Sequence, residues 1–324
     1  RKATFIAIGS IFIAIGFLAS IGSWGGLDRA VYDSLLRLRL SIRQATLSPR
    51  IVPVDLNDRA ERNLGARIEN RSAFADLFTV LGDGGLSGGM DFLFTGARDP
   101  AMDHRMAQAA GLISSLVMAV VPLDYAQSHY SGNALDPADE AILTARLWHP
   151  IVHNVGRIPV AVTFLMPNRD LALHSRFFGH ISVTSDPDGV YRKVPLFYRY
   201  KDGYMPSFPL ALAAAELKID PSRVVVDAGK EVVLLRGNGT AIHIPMDLDG
   251  SAWIPYPSYW GKGWKRIPLD KLCDAALNED SESQLIEELG GRIVVVADTT
   301  TAKKDFGVTP FETLYPLSGI HTSI

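Results

Sequence analysis

Between Ala3 and Leu27 the chain carries no charged residue. The centre of this run, residues 5 to 22, reads FIAIGSIFIAIGFLASIG. At about 1.5 Å of rise per helical residue, a run of this kind crosses the roughly 30 Å hydrocarbon layer of a bilayer. Arg1 and Lys2 stand before it, and Trp24 stands near its end, where an amphipathic ring suits the membrane interface. The alternatives are a signal peptide and a helix buried in a soluble core. No A-x-A pattern closes the run, which argues against cleavage. The reading is an uncleaved transmembrane helix over residues 3–26, with the lipid bilayer as its partner.

A second amphipathic segment, residues 27–48, follows directly. Leu27, Val31, Leu35, Leu38 and Ile42 recur at three and four residues and share one helical face. Asp33 and Arg37 are four apart and can pair on the opposite face. This juxtamembrane helix can pack on the following domain, lie on anionic lipid, or pair with a second copy. Packing is the favoured reading; pairing makes a homodimer through the transmembrane and juxtamembrane helices. Arg29, Arg37, Arg39, Arg43 and Arg50 stand against Asp28 and Asp33 on this side of the run. Counting charge alone puts this side in the cytoplasm.

Residues 49–324 have the make-up of a folded domain. Hydrophobic residues make up 47% of the whole chain, too many for a disordered one. A net charge of −3, from 32 basic and 35 acidic residues, argues against a general nucleic-acid binder. A single cysteine, Cys273, excludes an intrachain disulfide framework and any multi-cysteine metal site. From Ile51 the pattern alternates. IVPVDL at 51–56 reads as a strand, then a helix near Asp58–Leu64 and a second capped by Ser72. Leu86 to Phe94 reads as a strand, Asp99-Pro100 opens a helix to about Gly111, and Leu112 to Val121 is a strand closed by Pro122. Three βα rounds favour a parallel sheet. Asp202-Gly203 and Ala228-Gly229-Lys230 mark hairpins, and a helix follows Ser207. Trp253, Tyr256, Tyr259, Trp260 and Trp264 crowd one stretch, as a lid or packing surface does. The predicted fold is α/β: a mixed, largely parallel sheet flanked by helices, with β-hairpin additions and one preceding transmembrane helix.

Chemistry is sparse. The glycines at 82–89 precede a strand and do not spell G-x-G-x-x-G; no phosphate-binding loop and no G-x-S-x-G elbow exist. Pro150 breaks the spacing of His149 and His153, so they are not read as metal ligands. Asp55, Asp91 and Asp298 stand near the C-terminal ends of predicted strands, where open α/β sheets bind ligands. They can bind a small ligand together with Thr299 and Thr300, and Asp55 with Asp91 can hold a divalent cation. They can equally cap helices and anchor loops, with Thr299–Thr301 as ordinary loop caps. No nucleophile or base stands beside them, so no catalytic residue and no obligatory cofactor is assigned. Asp186 and Asp188 fit an Asx turn with Gly189; Arg192 follows and can form a buried salt bridge.

Several stretches then fall into a known order: LDRAVYDSLLRLR, IVPVDLND, GGMDFLF, ISVTSDPDGVYRKVPLFYRYKDGYMPSFPLALA, and the terminal GRIVVVADTTTAKKDFGVTPFETLYPLSGIHTSI. In order and spacing the chain resembles the CHASE2 sensor domains of bacterial transmembrane receptors, from about Asp28 to its end. The resemblance implies an extracytoplasmic input domain after one transmembrane helix, in the cytoplasmic membrane. It also implies further transmembrane helices beyond GIHTSI, leading to an adenylate or guanylate cyclase or a histidine or serine/threonine kinase. The ligand is then a small molecule or a cell-envelope component, and the outward placement overrides the arginine count. The other reading is a membrane-anchored enzyme acting on a small polar substrate, with a divalent cation at the strand-end carboxylates.

Overall fold

The computed structural model describes residues 24–43, 45, 47–124, 135–262, 264–303 and 305–324. Most of the segment read as transmembrane, residues 3–23, lies outside them. Among the described residues no helix is long and apolar enough to cross a membrane.

The chain opens with helix α1 (Trp24–Ile42) and enters strand β1 (Ile51–Leu56). Helix α2 (Asp58–Leu64), the single turn α3 (Ala66–Glu69) and helix α4 (Ser72–Asp83) lead to β2 (Ser87–Asp91). Helix α5 (Pro100–Leu112) leads to β3 (Leu116–Leu123), and α6 (Pro137–Thr144) to β4 (Ile151–Asn154). Then come β5 (Thr163–Leu165), α7 (Arg169–His174) and β6 (Phe177–His180). Local chemistry accounts for these starts. The Asn57 side chain accepts from the backbone of Arg59 and Ala60, and that of Asp99 from Ala101 and Met102 ahead of Pro100. Ser72 is not a cap. It is the first helical residue, and its N–H is taken by the Asn70 side chain while Arg71 turns through a left-handed φ of 66°.

The second half adds strands β7 (Lys193–Pro195), β8 (Phe197–Tyr200) and β9 (Gly203–Pro206), then helix α8 (Phe208–Glu216). Strands β10 (Val225–Asp227), β11 (Glu231–Leu235), β12 (Ala241–Pro245) and β13 (Ser251–Trp253) follow. The chain returns through β14 (Ile267–Pro268), α9 (Leu269–Ala275), α10 (Glu279–Leu289) and β15 (Ile293–Asp298). It closes with β16 (Phe306–Gly307), β17 (Tyr315–Pro316) and helix α11 (Leu317–Ser323).

The main sheet runs β14-β1-β15-β2-β3-β6, every neighbour parallel, and β5 adds antiparallel to the far end of β3. The period of two along each strand separates its faces. Val52, Val54, Val294, Val296, Met90 and Met118 face the helices α4, α5 and α9. Val117 and Val295 face α8. Two glycines let α8 approach: a Cβ on Gly179 would lie 2.5 Å from the Phe208 Cα, and one on Gly89 would lie 2.7 Å from its ring. A second sheet, β12-β11-β10-β4, roofs a second core with Tyr256, Tyr315 and Ile320. The largely parallel sheet and its added hairpins thus match the expected α/β class. Three boundaries differ. Strand β2 stops at Asp91 rather than running to Phe94. Leu112 ends α5 rather than opening β3, and Pro122 lies inside β3, in its antiparallel pairing with Phe164.

Candidate functional site

The parallel sheet brings two of the predicted acids level with each other. Asp55 in β1 and Asp91 in β2 both pair in register with Ala297 of β15. They therefore flank β15 at its C-terminal end, two strand spacings or about 10 Å apart along the sheet. Asp298, one residue on, lies opposite Leu56.

Their chemistry differs. Asp55 is buried and bound to the guanidinium of Arg266, which lies over the rings of Trp260 and Trp264. Burial raises the Asp55 pKa, and the arginine draws it back down. This acid anchors β14 and the aromatic stretch. Asp298 accepts from the backbone N–H and the hydroxyl of Thr300, at 3.0 and 2.7 Å. The Thr299 N–H donates to the Leu56 carbonyl at 2.9 Å, and Thr301 donates from both backbone and hydroxyl to Asp58. The three threonines make the loop-capping bonds expected of such a run. Asp91 is set apart: half-buried at the end of β2, it has its pKa pushed up to about 8 by burial and by the charges of Asp305 and Asp298. Among the described residues no group of three or more His, Cys, Asp or Glu side chains is placed to hold a metal ion.

A cavity of about 550 Å³ opens beside the end of β5. Thr95, Gly96, Phe164, Met166, Asn168 and Arg169 are among the residues lining it. Its rim is held by Arg71, a buried cation that donates to the carbonyls of Thr95 and Gly96 and to Asp103. Asp103 also accepts from the Arg98 N–H. Arg169 lines the cavity together with Asp136 and Asp139, to which it is paired. No sequence pattern points to this pocket. Its walls come from separate loops, and no local pattern joins them.

The other assembly of charge holds α1 to the domain. Arg192, 3% exposed, donates from Nε and Nη2 to both oxygens of Asp33, at 2.7 and 2.8 Å. Its Nη1 donates to Asp186 and Asp188, at 2.8 and 2.9 Å. A planar fork with several donors suits such convergence, where a lysine would not. The turn predicted at 186–189 is present: the Gly189 N–H donates to the Asp186 carbonyl and the Val190 N–H to the Asp188 side chain, and both acids serve this cation. Around the clamp, the Tyr32 hydroxyl donates to the Ile254 carbonyl, Arg39 donates to the carbonyls of Pro255 and Tyr256, and Arg37 donates to that of Pro310. Leu36 and Leu40 enter the second core. The face of α1 that packs is therefore not the predicted one. Asp33 and Arg37 do not pair with each other, and Leu27, Val31, Leu35, Leu38 and Ile42 point to solvent. The domain offers α1 a buried cation and open carbonyls, and these select its mixed face over its purely apolar one.

A family model for the CHASE2 domain matches residues 8–324. The chain belongs to the CHASE2 domain family. No curated protein and no solved structure matches it. CHASE2 domains are extracytoplasmic sensor domains, so the match supports a sensing input domain. The clamp acquires weight from this placement. Asp33 lies in one of the stretches that carry the resemblance, and Asp186, Asp188 and Arg192 lie in another. In this CHASE2 domain those two distant stretches meet in one ion cluster.

Proposed function

We propose that this CHASE2 domain is the extracytoplasmic, ligand-sensing input of a membrane-anchored receptor whose output module is a cyclase or a kinase. The observation that carries the reading is that both ends of the domain enter one core. Leu36 and Leu40 of α1 share it with Tyr315 of β17 and Ile320 of α11. A domain hung between an incoming and an outgoing membrane segment needs its two ends mechanically joined. A ligand that binds one arrangement of that core better than another shifts the relation of α1 to α11, and with it an attached module.

The ligand in this reading is a small polar molecule or a cell-envelope fragment. The cavity beside Asn168 and Arg169 is of ligand size and mixes aromatic and charged walls. Asp91, with Asp298 and Asp305 beside it, is the strand-end acid left for a polar ligand once Asp55 is committed to Arg266.

Two measurements test this. Gly237 sits on the exposed turn between β11 and β12 and has open space around it, while Cys273 is fully buried. A membrane-impermeant maleimide should label Gly237→Cys in intact cells; labelling only after permeabilisation would put the domain inside and end the proposal. Thermal shift of the full chain in micelles, against cell-envelope fragments and small polar metabolites, should yield a compound that raises Tm. That shift should be lost in Asn168→Ala. A compound stabilising both chains alike would move the ligand site elsewhere, and a panel without effect would remove the ligand claim.

A further inference from the structure

A second hollow, of about 420 Å³, lies between α8, β12 and β13. Leu210 and Ala213 of α8, Ile244 of β12 and Trp253 of β13 form much of its wall. Pro209, Pro245 and Pro255 line it as well, and none of the three has an N–H to offer. A concavity of this size suits a small molecule rather than a protein surface.

The charges against this wall decide what kind of molecule. They are already paired. Glu231 accepts from Nδ1 of His243 at 2.8 Å and also meets Lys230. Lys193 lies 4.5 Å from the centre of the Trp253 ring and is bound to Asp247. A charge brought into the hollow would lose its water and find its counter-charges taken, so the occupant is uncharged. His243, on the wall, supplies one polar contact. A carboxylate only accepts, so Nδ1 carries the proton shared with Glu231, and in the neutral ring Nε2 is left as an acceptor. That acceptor calls for a hydroxyl on the occupant.

We propose that this hollow is a binding site distinct from the cavity beside Asn168. Its ligand is a small uncharged molecule, mostly aromatic or alicyclic surface, with one hydroxyl. The site reaches both ends of the domain. The ring centres of Trp253 and Tyr32 in α1 are 4.4 Å apart, and Pro255 also lines a smaller hollow, of about 190 Å³, against α1. Ile324, which follows α11, is part of the wall. The site stands on the domain alone: it needs neither the receptor reading nor the polar ligand proposed above.

Fluorine NMR of the full chain in micelles, labelled with 5-fluorotryptophan, tests it with 2-naphthol as the probe. Trp253→Phe assigns the resonance. The Trp253 signal should shift saturably, while that of Trp264, buried near Arg266, stays in place. The anionic 2-naphthoate should bind at least about tenfold more weakly, because its carboxylate must be stripped of water. Ala213→Phe, which fills the hollow, should abolish the shift, and Asn168→Ala should leave it intact. An unsaturable drift of both signals is partitioning into the micelle and overturns the proposal. So does equal binding of the naphthoate, or a shift that Ala213→Phe leaves unchanged. Should Ala213→Phe fail to fold, His243→Phe decides, since His243 is exposed on its strand. It should erase the preference for 2-naphthol over its methyl ether, and a preference that survives refutes the assigned contact.

Discussion

The interior between β6 and α11 holds two imidazoles, and they make the domain's stability depend on pH. His180 and His321 are 0% and 5% exposed. Burial lowers both pKa values, to about 3 and about 4, and each feels little that would offset it. His180 meets the Tyr198 ring edge-on at 4.8 Å, and His321 meets Phe208 at 6.1 Å. The other influences are the partner imidazole and the backbone at Pro195 and Ile181; no carboxylate contributes. Both rings are therefore neutral in the folded domain at pH 5, whereas in the unfolded chain they take a proton near pH 6.5. Below pH 6.5 the unfolded state binds more protons, so stability falls with pH down to the folded-state values. At about 1.4 kcal/mol per pH unit and per group, moving from pH 8 to pH 5 costs about 2 kcal/mol for each histidine. Asp91 works in the opposite sense, since its raised pKa favours the folded state at low pH. The clean measurement is therefore a difference between chains. Urea titrations of wild type and His321→Gln in a non-ionic micelle, at pH 8, 7, 6 and 5, should show wild type losing about 2 kcal/mol more than the variant over that range. If the two stability curves run parallel from pH 8 to pH 5, His321 is not a buried neutral group and the reasoning is wrong.

Removing the clamp with Arg192→Met leaves the half-buried Asp33 and Asp186 and the exposed Asp188 without their cation, at a cost of about 1–3 kcal/mol. It should also open residues 24–43 to limited proteolysis, and an unchanged cleavage pattern would refute the clamp. Asp91→Asn removes a carboxylate that burial and two like charges hold protonated up to about pH 8. It should raise Tm at pH 9 and leave it unchanged at pH 4; a uniform shift across that range would show that charge is not the cause. Gly179→Ala places a methyl 2.5 Å from the Phe208 Cα, so α8 must lift from the sheet at a cost of roughly 1–3 kcal/mol. Wild-type stability in denaturant would mean that α8 has room to give.

Where the chain's own neighbours decide structure, the sequence was readable. The helices after Asn57 and Asp99 begin where their caps stand, and β8 and β9 turn where Asp202-Gly203 allows it. The strand-end acids were placed at the correct edge because alternation of strand and helix is a local signal. Their partners were not readable. Arg266 reaches Asp55 across 211 residues, and Arg192 reaches Asp33 across 159. Nothing in a window of sequence ties them together. Short elements escaped for a related reason. Strand β14 has two residues, and α11 has seven and begins after Pro316 without a side-chain cap, so neither has a period to read.

The instructive failure is α1. Spacing alone marks Leu27, Val31, Leu35, Leu38 and Ile42 as a face for burial on the domain or against a second copy, and the domain does not bury it. Burial of an apolar face is the cheaper choice only when the surface facing it is apolar too. Here the domain presents a guanidinium and a row of carbonyls from Ile254, Pro255, Tyr256 and Pro310. Leaving those groups unpaired under an apolar helix face would cost more than exposing a few leucines, because buried polar groups without partners are heavily penalised. The helix therefore turns Tyr32, Asp33, Leu36 and Leu40 inward, reaches the carbonyls with Arg37 and Arg39, and leaves Leu27, Leu35 and Leu38 outward. A hold made of hydrogen bonds and ion pairs has a defined geometry, and it breaks over a shorter displacement than apolar packing does. In the sensing role proposed above, that makes the Arg192 cluster the joint, and the parallel sheet behind it the frame.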